Sequence, residues 1–85
     1  MWTEKNNALH LTVEGETFED AKAFVLDVLN LAQEHNHHPT LENTYSTVKL
    51  LLTTHDAGNT VTQKDRVLAE DIAKLVEQSN SLTRQ

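Results

Sequence analysis

Between Leu9 and Val13 apolar and polar residues alternate, with Leu9, Leu11 and Val13 on one side and His10, Thr12 and Glu14 on the other. A period of two predicts a half-buried strand. Asn6-Asn7 is a turn signal, so Trp2 to Lys5 is expected to pair with that strand as a hairpin. Gly15-Glu16-Thr17 then closes the strand and opens a helix. Thr17 is a good N-cap, and Glu19 and Asp20 place negative charge in the first turn. Ala21, Phe24, Val25, Val28, Leu29 and Ala32 recur at helical spacing and form one apolar face. Leu26 and Leu31 fall off it, open to another subunit or to solvent. Pro39 drives the residue before it out of the helical region, so the helix ends near His35.

From Thr40 to Thr54 the chain turns to strand formers. Val48, Leu50 and Leu52 share one face; Tyr45, Thr47, Lys49, Leu51 and Thr53 share the other. The run is long for one strand, which predicts a bend near Asn43-Thr44. His55 continues the less apolar parity and leaves the strand on its surface side. After the loop Asp56 to Thr60, Thr62 caps a second helix with Asp65 at its N3 position. Leu68, Ala69, Ile72, Leu75 and Val76 form its apolar face, and the polar residues after Glu77 are expected to fray. Strand, helix, strands, helix predicts one α+β domain over residues 1–85, a small antiparallel sheet with helices on one face.

Composition narrows the function classes. A chain of 85 residues with 38% hydrophobic content and no cysteine has a modest core and no disulfide to support it. Self-association is the remaining stabiliser, so an oligomer is expected. Thirteen acidic against seven basic residues give a net charge of -6, and no Lys/Arg cluster offers a phosphate-binding surface. Direct nucleic-acid binding is therefore not expected. The polar opening Met1-Trp2-Thr3-Glu4 lacks the character of a signal peptide, and no apolar run is long enough to cross a bilayer. A cytoplasmic location without membrane attachment is expected.

The candidate chemistry lies in the histidines. Three of the five stand in Asn36-His37-His38-Pro39 and at the end of Thr53-Thr54-His55. His10 alternates out of a strand, and His35 sits at a helix C-terminus, where the dipole favours a partly charged imidazole. His37 and His38 read equally well as polar loop residues and as a general acid/base pair, since imidazole titrates nearest neutrality. His35, His37, His38 and His55 could hold zinc or nickel, but their spacing matches no usual ligand pair and no carboxylate stands in an evident ligand position. Acid/base use ranks above metal binding. Nucleophilic catalysis has weak support, because there is no cysteine and no serine in a nucleophile-elbow context. Asp65 taken alone is more simply a helix cap than a ligand group.

Taken together, His37-His38-Pro39, Tyr45 after five intervening residues, His55 after nine more, and then Asp65 resemble the pterin-4a-carbinolamine dehydratases. That family is also known as dimerisation cofactors of a homeodomain transcription factor. The segment Leu50-Leu51-Leu52-Thr53-Thr54-His55-Asp56-Ala57-Gly58 is equally family-like, and the resemblance runs from Trp2 to about Val76. It implies an α+β fold with a four-stranded antiparallel sheet, the family's N-terminal helix missing here, and assembly as a homodimer or a tetramer of dimers. It also implies dehydration of 4a-hydroxytetrahydropterin to quinonoid dihydropterin, which recycles the pterin of aromatic amino acid hydroxylases without a metal or organic cofactor. Carried over by position, His37, His38 and His55 would be catalytic, and Pro39, Tyr45, Thr54, Asp56 and Asp65 would meet the substrate. His38 and His55 would move protons while His37 positions the pterin. A non-catalytic dimer that binds or stabilises another protein is the alternative. Two departures bear on activity. Gln33 stands where an acidic residue is expected, which removes a charge that would raise a nearby histidine's pKa. The loop from His55 to Asp65 is one residue longer, with Asn59-Thr60 in place of Gly-Leu, which would shift Asp65 relative to the pocket.

Overall fold

The computed structural model describes residues 1–85. Its elements are β1 (Thr3–Lys5), β2 (Ala8–Gly15), α1 (Phe18–His35), β3 (Thr40–Thr44), β4 (Thr47–Leu52), α2 (Gln63–Glu77) and β5 (Leu82–Arg84), with a 3-10 turn at His55–Ala57. The sheet runs β1-β2-β4-β3, wholly antiparallel, and β5 pairs with β2 on the edge that β1 leaves free. Asn6 and Asn7 take φ of 52° and 62°, the left-handed pair that a tight hairpin between β1 and β2 needs. The nearest pairing beyond them is Lys5 with Ala8.

Alternation along β2 and β4 decides which side is covered. Leu9, Leu11 and Val13 face Leu52, Leu50 and Val48 across the ladder, and all six are buried beneath the helices. Ala21, Phe24 and Val28 of α1 and Leu68, Ala69, Ile72 and Val76 of α2 complete a core of thirteen residues. Both helices lie on that one face. Gly15 allows the close passage from β2 into α1, because a Cβ there would stand 3.0 Å from the Ala21 nitrogen and the Thr17 carbonyl oxygen. Thr17 and Asp20 then cap α1 reciprocally, each side chain bonded to the other's backbone N–H at 3.2 Å.

Four expectations need correction. The sheet has five strands, not four: the segment after Glu77 does not simply fray, because Leu82 to Arg84 pair with Gly15 to Val13 and Leu82 packs against the core. Three residues show no periodicity, and main-chain bonds, such as the Gln85 N–H to the Thr12 carbonyl at 2.8 Å, ignore side-chain polarity. The turn between β3 and β4 falls at Tyr45-Ser46, not Asn43-Thr44, because Thr44 still pairs with Thr47. Leu29 is 48% exposed, not buried. Leu31, placed off the apolar face, packs partly against the core. The buried stripe of α1 is the narrower set Ala21, Phe24, Val28 and Ala32. Leu26 is 54% exposed, outside the core as its position required.

Candidate active site

Three chain segments meet where α1 ends, β4 ends and α2 begins. Asn36 terminates α1 in the left-handed region at φ 50°, and the His37 N–H returns to the Ala32 carbonyl at 3.1 Å. That closure is the ordinary end of a helix with a residue able to adopt the left-handed form. It also fixes where His37 points. At the end of β4, Thr54 bridges to Thr60, and its N–H donates to the Thr60 carbonyl at 2.9 Å. The excursion His55 to Asn59 is thereby pinned at its neck, with Gly58 and Asn59 both at positive φ.

Asp65 is the centre of the arrangement. It is fully buried, one turn into α2. One carboxylate oxygen meets His37 Nε2 at 2.5 Å; the other accepts from the Thr54 hydroxyl at 2.7 Å and the Thr62 N–H at 2.9 Å. Thr54 spends its one proton on Asp65, so the Thr62 hydroxyl donates to Thr54, at 2.7 Å. Burial by itself pushes the Asp65 carboxyl up. The bonds from His37, the Thr62 N–H and Thr54, with the charge of His37, outweigh it and hold the carboxyl below its ordinary value. No buried side-chain polar atom lacks a partner. A carboxylate paired in this way fixes the orientation and tautomer of its imidazole.

In front of this pair lies a cleft of about 230 Å³ lined by Asn36, His37, His38, Thr53, Thr54, His55, Asp56 and Lys64. His37, His38, His55, Thr54 and Asp56 are thus brought together, with Asp65 bonded from behind. Pro39 does not line the cleft. Tyr45 lies at the far end of β3, roughly 17 Å along the strand at about 3.3 Å per residue, where it stacks on Phe18. Within one chain, the structure separates it from the other selected residues. Gln33 is exposed on α1 and does not line the cleft; the carboxylate that meets His37 comes from α2. Asn36, Thr53 and Lys64 are additional lining residues. Asn36 and Thr53 belong to the two stretches that hold the selected histidines, and Lys64 could have been found from its place next to Asp65 at a helix start. No three His, Asp or Glu side chains are gathered closely enough to hold a metal ion.

The family model for pterin 4 alpha carbinolamine dehydratase matches residues 1–75. The chain belongs to this family. A relative from Thermomicrobium roseum, provisionally named a pterin-4-alpha-carbinolamine dehydratase, is 43% identical over 74 residues, which are 87% of this chain and 78% of the relative. A similarly named relative from Trichormus variabilis is 40% identical over the same shares. Among solved structures, a transcriptional coactivator/pterin dehydratase from Brucella melitensis superposes with a TM-score of 0.82 at 26% identity, over 87% of this chain and 80% of its own. A pterin dehydratase-like RuBisCO assembly factor of the alpha-carboxysome shares the fold, with a TM-score of 0.73 at 19% identity over 93% and 90% of the two chains. The family's α+β architecture, two helices on one antiparallel sheet, is the one described above. No helix of the chain is long and apolar enough to cross a membrane.

Proposed function

We propose that the protein is a 4a-hydroxytetrahydrobiopterin dehydratase that works by histidine acid/base catalysis. The observation that carries this reading is the His37–Asp65 pair at the back of a cleft whose mouth holds His38 and His55. Loss of the 4a-hydroxyl as water requires a proton delivered to the leaving oxygen and one removed from a ring nitrogen. Imidazoles near neutrality serve both steps. His38 and His55 make no side-chain hydrogen bonds and are assigned the two transfers. His37 has one ring nitrogen committed to Asp65 and uses the other to position the pterin. Thr54 is assigned to act through Asp65, and Asp56 and Lys64, which line the cleft, are assigned to polar edges of the ring. Recycling of the pterin of aromatic amino acid hydroxylases, in the cytoplasm, is the context the reading implies.

Ultraviolet-monitored decay of 4a-hydroxytetrahydrobiopterin tests it. Wild-type protein accelerates the decay, and His55→Ala removes the acceleration. An unchanged rate in His55→Ala overturns the assignment of that residue, and no acceleration by the wild type overturns the enzyme. A second reading, a non-catalytic protein-stabilising module, is favoured by one observation: no hydrophobic residue lines the cleft. The same assay separates the two.

A further inference from the structure

The proposed chemistry uses three of the five histidines. Of the other two, His10 touches only the Lys5 carbonyl of its own hairpin, at 3.3 Å. His35 is different. It is the last residue of α1, and its Nε2 donates to the Asp71 carboxylate of α2 at 2.7 Å. No other side-chain hydrogen bond joins the two helices, whose shared core is apolar. The ring is 22% exposed and the carboxylate 36%, so the bond is partly withdrawn from water. The Lys74 ammonium lies 3.9 Å from the other Asp71 oxygen and is itself mostly in solvent, where such a contact contributes little.

A helix end frays because its last carbonyls have no partner further along. The end of α1 carries working groups, since His37 and His38 follow within three residues of His35. Asn36 turns the chain between them at φ 50°. His37 is tied to Asp65 at 2.5 Å, and Asp65 is itself fixed by the Thr54 hydroxyl and the Thr62 N–H. One hydrogen bond fixes a point and leaves rotation about it. His38 lines the cleft without a side-chain bond, so such a rotation would carry its ring across the opening. The His35–Asp71 bond supplies a second point, roughly 9 Å further along α2 at about 1.5 Å per residue. Two points on one rigid helix remove the rotation.

We infer that His35 and Asp71 are a positioning pair, which holds the end of α1 against α2 and thereby sets the direction of His38. The inference rests on the dehydratase reading, in which His38 transfers a proton and His37 positions the pterin. Neither His35 nor Asp71 lines the cleft, so the pair acts through the backbone and not on the substrate. Position in the sequence offers a plainer role for His35, a side chain that answers the dipole at a helix C-terminus. A dipole contact needs no partner, whereas this ring has a dedicated carboxylate on another helix.

Steady-state kinetics of His35→Ala and Asp71→Ala test the pair. Both should lower kcat for pterin dehydration by about fivefold to twentyfold with KM within about twofold, since a displaced proton donor loses rate before binding. His35→Gln, whose amide N–H reaches the same oxygen, should restore most of the rate; a loss as large as in His35→Ala overturns the role of the bond. In a His38→Ala background, adding His35→Ala should change the residual rate by less than about twofold, because the residue it positions is gone. A merely structural pair would lower the rate equally in both backgrounds, and that result overturns the inference. So does an unchanged kcat for Asp71→Ala beside an active wild type, which leaves His35 a dipole contact. Hydrogen exchange reads the same clip without substrate. The Asn36 and His37 amides, bonded to carbonyls of the last turn of α1, should exchange about tenfold faster in His35→Ala while β4 amides keep their wild-type rates. Equal acceleration throughout the chain marks general destabilisation and overturns the clip. An inactive wild type overturns the dehydratase reading; faster exchange confined to the end of α1 then leaves the clip standing, and unchanged exchange overturns it.

Discussion

The two ends of the β3–β4 hairpin are built on opposite principles. At the cleft end, a fully buried carboxylate has each bond answered, by His37, Thr54 and the Thr62 backbone, and no apolar group faces the opening. At the turn end, two aromatic rings stand in solvent over a backbone in the left-handed region. Nearby, Glu14 accepts from the Ser46 and Thr47 hydroxyls, which hold its carboxyl below its ordinary value against a small opposing effect of burial. One end is polar with its buried carboxylate fully paired, the other presents aromatic surface to solvent. Strength of support and exposure to solvent are thus traded between them, and the ends should respond differently to substitution and to pH.

The largest effect is expected from Asp65→Ala. It leaves His37, the Thr54 hydroxyl and the Thr62 N–H without their shared partner in a dry site, which should cost about 3–5 kcal/mol in urea unfolding. A loss below about 1 kcal/mol would show that water replaces the carboxylate, and the contrast between the ends would weaken. Next come His38→Ala and His55→Ala, each expected to lower kcat for pterin dehydration by about 100-fold or more with folding intact, as loss of a general acid or base does. His37→Ala should instead raise KM more than it lowers kcat, because His37 is assigned to positioning. Equal losses in all three variants would remove that division of labour.

A pH experiment sharpens the comparison further. The Asp65 carboxyl is held below its ordinary value of 3.8, so folding favours its ionised form. The stability it contributes is present above about pH 4 and is lost as pH falls through the folded-state value. Asp65→Asn should flatten that acid limb in unfolding measured between about pH 2 and 5. Glu14→Gln should act in the same direction with a smaller change, since Glu14 is more exposed to water. A larger effect at Glu14 would reverse the ranking of the two ends. The smallest effect is expected from Tyr45→Asn. Asparagine tolerates the left-handed turn, and that relief offsets the lost stack on Phe18, so unfolding free energy should move by no more than about 0.5 kcal/mol.

Much of this protein is legible without coordinates because period and capping are local properties. Alternation in β2 and β4, the i, i+3, i+4 stripe of α1 and the Thr17 and Thr62 caps follow from residues within a few positions of one another. Spacing also set His37-His38, His55 and Asp65 in one resemblance, and these do meet around one cleft. Tertiary structure alone decided the rest. A three-residue strand such as β5 has no period to read and is fixed by the edge of β2 that β1 leaves open. Which carboxylate serves His37 depends on α2 folding back across the end of α1, so the partner is Asp65 and not the residue at position 33, one turn upstream. Tyr45 stood in the same run of residues as the histidines, yet the length of β3 carries it to the far end of the hairpin. Linear spacing records which residues belong together; distance within one subunit is set by the strands between them.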